Sequence, residues 1–262
     1  MNFTDILANA KPDKDGYAYA APDQWKQGRT LYGGLTSSIC LHSARLLTGE
    51  ERQLRSALVS FVGPSSEYIT ADAAVLRSGR TATTVRSSLR SSGSVATEAL
   101  LTFADCRESN IVYTPSTMPD VAAPRPDDVL DLSRAGGPAF TCNFDLIPVG
   151  GAIPMSAAPV PDIYWWARHK DVAARDTELG LLCIGDILPP AVLTMTASPA
   201  RVSSMTWMID FVGDSWETEA GWYLFRSTAD AATGGLSTQH MSIWSTSGAM
   251  IAKGRQTVAL FE

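Results

Sequence analysis

The sequence predicts an α+β protein built as two similar halves, each a helix laid against a curved antiparallel sheet. Three observations predict it. A strand-like run recurs, ALVSFVG at 57–63 and WMIDFVG at 207–213, with the shared Phe-Val-Gly 150 positions apart. A hairpin pattern also recurs. SSLRSSGSVATEALLTFA (87–104) and MSIWSTSGAMIAKGRQTVAL (241–260) each run a strand into a Ser-Gly turn and out into a second strand. Finally, each half has one helix candidate ahead of these strands.

In chain order, GGLTSSICLHSARLLTG (33–49) opens on a Gly-Gly pair and stops at Gly49. Leu35, Ile39, Leu41, Leu46 and Leu47 give it a mixed, mostly apolar face. Residues 106–139 hold Pro115, Pro119, Pro124, Pro126 and Pro138 among many polar residues, a linker draped over a surface. The expected division is therefore an N-terminal domain at 1–105, the linker at 106–139 and a C-terminal domain at 140–262. In the second half, ARDTELGLLCIGDIL (174–188) is mostly apolar after Glu178. Asp176 or Thr177 is placed to cap it, and Pro189-Pro190 ends it. Gly93 matches Gly248 at an offset of 155, so the second half carries a net insertion of five residues, placed around Asp230–Leu236.

Composition excludes several classes. No stretch reaches the roughly 20 apolar residues of a membrane span. The start, MNFTDILANAKPDKDG, is acidic and polar where a signal peptide needs a basic start and an apolar run, so a cytoplasmic location is expected. Cys40, Cys106, Cys142 and Cys183 lie far apart with no clustered histidines, which predicts buried free thiols and no metal site. Net charge is −6 with scattered arginines, which argues against a nucleic-acid partner. No Gly-x-Ser-x-Gly elbow, Walker A loop or Gly-x-Gly-x-x-Gly fingerprint occurs.

One position stands out from the repeat alone. Eight residues after the turn glycine, the first copy has Leu101 and the second has Gln256. If both face inward, the second copy carries a polar group where the first is apolar, and a buried amide must be hydrogen-bonded. A register slip of one residue would turn it outward instead.

Five segments, in order, resemble the type II acyl-CoA thioesterase (TesB-like) family: GRTLYGGLTSSICLHSA (28–44), VLRSGRTATTVRSSL (75–89), FDLIPVGG (144–151), GDILPPAV (185–192) and GAMIAKGRQTVAL (248–260). The resemblance implies a tandem, or double, hotdog fold, each half a long central helix wrapped by a curved antiparallel sheet. It implies a catalytic Asp, Thr or Ser, and Gln, all from the second hotdog and its edges. These fall on Asp186, Ser204 and Gln256. The sequence departs from the family pattern twice, with Ser where the prototype has Thr, and with Thr206 where many relatives carry an acidic residue. Ser203 is a neighbouring rival for the hydroxyl role. Ser204 has Leu54 as its repeat partner, again polar against apolar, whereas Asp186 has no assignable counterpart.

The implied activity is hydrolysis of an acyl-CoA or acyl-pantetheine thioester by a positioned water, with Asp186 as general base, Ser204 and Gln256 holding the same water, no cofactor, and backbone amides near the helix as the oxyanion site. The alternatives are a non-catalytic acyl-CoA or acyl-carrier binding protein, and a hotdog enoyl-CoA hydratase or dehydratase, which would need an Asp-His pair. Arg77 and Arg80 are either a solvated turn or phosphate contacts. Tyr164, Trp165 and Trp166 are either packing or an acyl-pocket lining. His42, His169 and His240 are isolated in sequence, and the exposed sheet edges leave a homo-oligomer open.

Overall fold

The computed structural model describes every residue except 15, 133, 135, 214 and 262. Its helices are α1 (Phe3–Ala8), α2 (Gly33–Thr48) and α3 (Glu178–Ile184). The first-half strands are β1 (Lys11–Asp13), β2 (Gly16–Tyr19), β3 (Lys26–Gln27), β4 (Thr30–Leu31), β5 (Gln53–Phe61), β6 (Ile69–Ser78), β7 (Ala82–Ser91) and β8 (Ser94–Ala104). The second-half strands are β9 (Phe144–Gly151), β10 (Asp162–His169), β11 (Arg201–Phe211), β12 (Tyr223–Thr233), β13 (Leu236–Ser245) and β14 (Met250–Phe261). None of the described helices is long and apolar enough to cross a membrane.

Twelve strands pair antiparallel in one sheet, in the order β1-β2-β6-β7-β8-β5-β11-β14-β13-β12-β10-β9. Read outward from the centre, β5-β8-β7-β6-β2 is answered by β11-β14-β13-β12-β10. The two copies of the Phe-Val-Gly strand thus lie side by side. Leu58 sits directly opposite Met208, the residue 150 positions on, so a local two-fold axis passes between them.

The register relocates the insertion. Ile69 opposite Ser91 corresponds to Tyr223 opposite Ser245, and Val75 opposite Val85 to Ala229 opposite Gln239, all at an offset of 154. The offset is constant across this hairpin, so no insertion lies at 230–236. Four of the five residues fall in the 212–222 connection, and the fifth lies in the turn at Thr246–Gly248, against the tighter Ser92-Gly93 turn.

Helix α2 packs against β2, β6, β7 and β8, and it is buried on nearly every side rather than on one stripe. Thr36, Ser37, Ser38 and Ser43 are among its buried residues, and each hydroxyl has a backbone carbonyl to bond. That answers the desolvation cost of placing them there. Leu46 and Leu47, expected on the apolar face, are exposed, because the last turn runs past the sheet and ends at Gly49 with φ 71°.

The second helix is shorter than the sequence suggests. Only Glu178–Ile184 is helical within the expected 174–188, so a long central helix holds for the first half and not for the second. Asp176 has φ 56° and its carboxylate accepts from Thr218 N, which leaves Thr177 as the cap, its hydroxyl accepting from Gly180 N at 3.0 Å. The chain then turns at Gly185, and the apolar run to Leu188 is buried as a turn rather than as helix. Asp186 accordingly lies two residues beyond the helix end.

The Pro-rich linker crosses the outer face of the second half. Met118, Val121 and Val129 pack on a cluster of Ile147, Trp166, Trp222, Leu224 and Trp244, and the Trp166 indole donates to Ala122 O at 2.8 Å. All four cysteines are free, but only Cys40 and Cys183 are buried. Cys106 is exposed because it follows the last residues of β8, where the chain leaves the sheet.

Candidate active site

A β-bulge aims Ser204. Alternation inward from Trp207 would select Met205 and Ser203, but the pairing of β11 with β14 shifts between Ser204 and Thr206. The extra residue brings Ser204 and Trp207 onto one face. The same bulge recurs in β5 between Leu54 and Ser56, which puts the buried Leu54 at the equivalent place. Ser203 is exposed and Thr206, beyond the bulge, is also exposed.

Gln256 lies opposite Trp207, as Leu101 lies opposite Ala57, so the repeat partners occupy equivalent positions. Both are buried. One hydrogen of Gln256 Nε2 goes to Asp186 Oδ1 at 2.9 Å and the other to Ser204 Oγ at 2.9 Å. The three residues proposed from sequence are therefore brought together, with the glutamine as the link. Gln256 Oε1 in turn accepts from Gln239 Nε2 at 2.7 Å, and Gln239 Oε1 accepts from Ala191 N at 2.9 Å. Gln239 was missed from sequence. Its repeat partner is Val85, a contrast of the same kind as Gln256 with Leu101, but it is visible only with the offset of 154.

The first half also contributes. The Asp186 carboxylate accepts a bond from Gly34 N at the start of α2. A Cβ on Gly33 would lie 2.6 Å from Asp186 Oδ2 and 2.9 Å from Phe61 Cε1, and one on Gly34 would lie 2.0 Å from Cys183 O. The Gly-Gly pair is thus required by close approach of two chain segments, and the site lies between the halves rather than within the second alone. We expect Gly34→Ala to lower the melting temperature, at about 1–3 kcal/mol for overpacking against backbone. Gly33→Ala should instead displace the carboxylate and lower turnover more than stability; equal losses of both in the two variants would contradict this division.

Burial pushes the Asp186 carboxyl up to about 7, and the bonds from Gln256 and Gly34 only partly offset it. Around it, burial also drives the Tyr32 phenol and the Cys183 thiol well above their ordinary values, so both are neutral neighbours. A carboxyl that titrates near neutral pH beside a hydroxyl and an oriented amide can exchange a proton with water.

The other candidates are not brought here. Arg77 and Arg80 sit at the far end of the β6–β7 hairpin, with β7, β8 and β5 between them and β11, and both are exposed. Trp165 and Trp166 are core residues of two different clusters, and Tyr164 bonds Asp162 beneath Arg226. His42 bonds Tyr19, His169 bonds Gly180 O and His240 bonds Asp230, so none pairs with Asp186. A surface cavity of about 230 Å³ lined by Arg45, Thr48, Arg52 and Phe103 lies at the C-terminal end of α2, about 24 Å along the helix from the glycines.

The fold recurs among solved structures. The structure superimposes on a conserved protein of unknown function with a hot dog fold from Alicyclobacillus acidocaldarius, with a TM-score of 0.86 and 20% identity over 99% of this chain and 98% of that one. It matches a tesB protein from Mycobacterium avium subs paratuberculosis at a TM-score of 0.79 and 18% identity, covering 100% of both chains. An acyl-CoA thioesterase II from Mycobacterium marinum matches at 0.73 and 19% identity, over 99% of this chain and 98% of that one. No curated protein matches in sequence. Family models for the acyl-CoA thioesterase N-terminal domain and C-terminal domain match residues 21–104 and 115–260. The second alone spans more than half of the chain, and the protein therefore belongs to the acyl-CoA thioesterase family of thioester hydrolases.

Proposed function

We propose that the protein hydrolyses acyl-CoA or related acyl-pantetheine thioesters at a single centre formed by Asp186, Ser204 and Gln256. The observation that carries this is the pair of bonds from one Gln256 nitrogen to Asp186 and Ser204. Both hydrogens of that nitrogen are used, so the glutamine holds the other two apart and does not itself grip the water. Ser204 Oγ has a second lone pair that would accept one hydrogen of the water, while ionised Asp186 accepts the other as general base. The water oxygen then bonds to the carbonyl carbon, and the C–S bond breaks as the proton passes from Asp186 to the leaving thiolate. First-turn amides of α2, beside the carboxylate, would stabilise the oxyanion, since the N-terminus of a helix of this length favours negative charge.

We read the chain as a tandem hotdog, on the mirrored strand order about Leu58 and Met208. Our division is 1–105 and 140–262 around the linker at 106–139, although the C-terminal family match begins earlier, at residue 115. We place the enzyme in the cytoplasm, on its four free cysteines.

The test is to incubate pure protein with acyl-CoAs and enoyl-CoAs of graded chain length and follow free thiol and hydration products. Thiol release matched by free acid supports the reading; water addition without thiol, or binding without turnover, overturns it. In the same assay Ser204→Ala should lower kcat roughly a hundredfold through misplacement of the water, while Ser203→Ala stays near wild type. Equal effects of the two serine changes would remove Ser204 from the site.

A further inference from the structure

We propose that Gln239 is a positioning residue that fixes which way the Gln256 amide points, presenting nitrogen rather than oxygen to Asp186 and Ser204. This rests on the reading of those three residues as the hydrolytic centre. The orientation is dictated from one end of a chain of bonds. Ala191 N is a backbone donor and can only donate, so Gln239 must turn Oε1 toward it, 2.9 Å away. That leaves Gln239 Nε2 facing Gln256, which must answer with Oε1, 2.7 Å away. Gln256 Nε2 is then the end left for Asp186 and Ser204. An amide flipped the other way would set its oxygen against the ionised carboxylate and its nitrogen against Gln239 Nε2, losing the bonds to Asp186 and to Gln239.

The burial and the repeat support this. Gln239 is 1% exposed, which makes a free-standing structural amide costly, and its partner in the first half is the fully buried Val85. In the first half the facing pair is Val85 and Leu101; in the second it is Gln239 and Gln256. The two glutamines thus occur as a unit in the copy that holds the carboxylate and are both absent from the other.

Gln239 touches neither Asp186 nor Ser204 through any bond of its own, so its influence passes through Gln256. Once Gln239 no longer donates, the Gln256 amide can flip, and its oxygen would then accept a hydrogen from a protonated Asp186. The expected signature is a rate loss together with an upward move of the acidic limb of the pH profile. The groups facing Asp186 from the other packed elements do not titrate into this window: Tyr32 before α2 and Cys183 on α3 are held neutral by burial, and β11 and β14 present uncharged Ser204 and Gln256.

The experiment is a double-mutant cycle with Gln239→Met and Gln256→Ala, read as kcat, KM and pH profile of acyl-CoA hydrolysis. Gln239→Met should lower kcat about tenfold or more with KM nearly unchanged, shift the acidic limb upward, and have no further effect in the Gln256→Ala background. Wild-type kcat and pH profile in Gln239→Met, or an equal loss in both backgrounds, would overturn the proposal. A purely structural glutamine would lower the melting temperature without moving the pH profile. If Gln239→Met folds poorly, Gln239→Asn keeps an amide in the core but is one methylene short of Gln256, and the same cycle is read with it. Full activity of Asp186→Asn and Gln256→Ala would defeat the reading of the centre itself, whereas inactive Asp186→Asn with unaffected Gln239→Met defeats only this inference.

Discussion

Asp186→Asn should lower turnover by about a hundredfold or more and, at pH 8, raise the melting temperature. The two effects have one cause. Burial lifts the carboxyl from an ordinary 3.8 to about 7, so the folded protein holds the proton more tightly than the unfolded chain does. Wild-type stability from this group is fully present below about pH 4 and is lost as pH rises through 7. The penalty above pH 7 is on the order of 4 kcal/mol, as an upper bound for a group that retains some solvent contact. Asparagine carries no charge to desolvate and keeps one oxygen for Gln256. The stability gain should therefore shrink as pH falls and be absent near pH 4, and thermal unfolding at both pH values checks it. Hydrolysis by the wild type should rise through pH 7 as Asp186 ionises. A variant less stable than wild type at pH 8, or one that still hydrolyses at the wild-type rate, would show that the carboxylate is not the strained working group.

How much of this was legible depends on which signals survive in a linear pattern. The duplication was, because Phe-Val-Gly and Ser-Gly mark strand ends and turns, and the long α2 was, from its Gly-Gly start and Gly49 stop. Gln256 was, because Leu101 exposed the contrast. Ser204 was not legible from pattern: strict alternation selects Ser203, and the bulge that reverses this has no sequence mark, so the family resemblance was needed. Asp186 was hidden differently. The apolar run after Glu178 reads as helix as far as the prolines, yet the helix stops at Ile184 with Gly185 as its cap, and the carboxylate is covered by Gly33 and Gly34, about 150 residues away. Gln239 was lost to a misplaced insertion. With the extra residues put at 230–236, it matches Thr84, polar against polar, and no contrast shows; with most of them at 212–222, it corresponds to the buried Val85.

Gln256→Leu installs the first-half residue at the second-half position and should likewise reduce turnover by about a hundredfold or more. Its consequences reach further than those of a lost contact. Asp186 loses the donor that pulls its carboxyl down, so whatever residual activity remains should need a higher pH. Ser204 is no longer tied to the carboxylate, and Gln239 Nε2 is left buried without an acceptor. An orphaned amide costs about 1–3 kcal/mol, and at pH 8 the unpaired carboxylate adds to it. The stability loss should thus be larger at pH 8 than at pH 5, where Asp186 is protonated and has less need of the glutamine. Denaturant titrations at the two pH values, beside the rate measurement, test this. Equal losses at both pH values would mean that the glutamine packs without regard to the charge it faces. The pH-dependent outcome would give a physical reason for the single centre proposed in a mirrored sheet. Leucine at 101 already satisfies the first copy as a core, and an acid brought to that face would find no donor to hold it ionised.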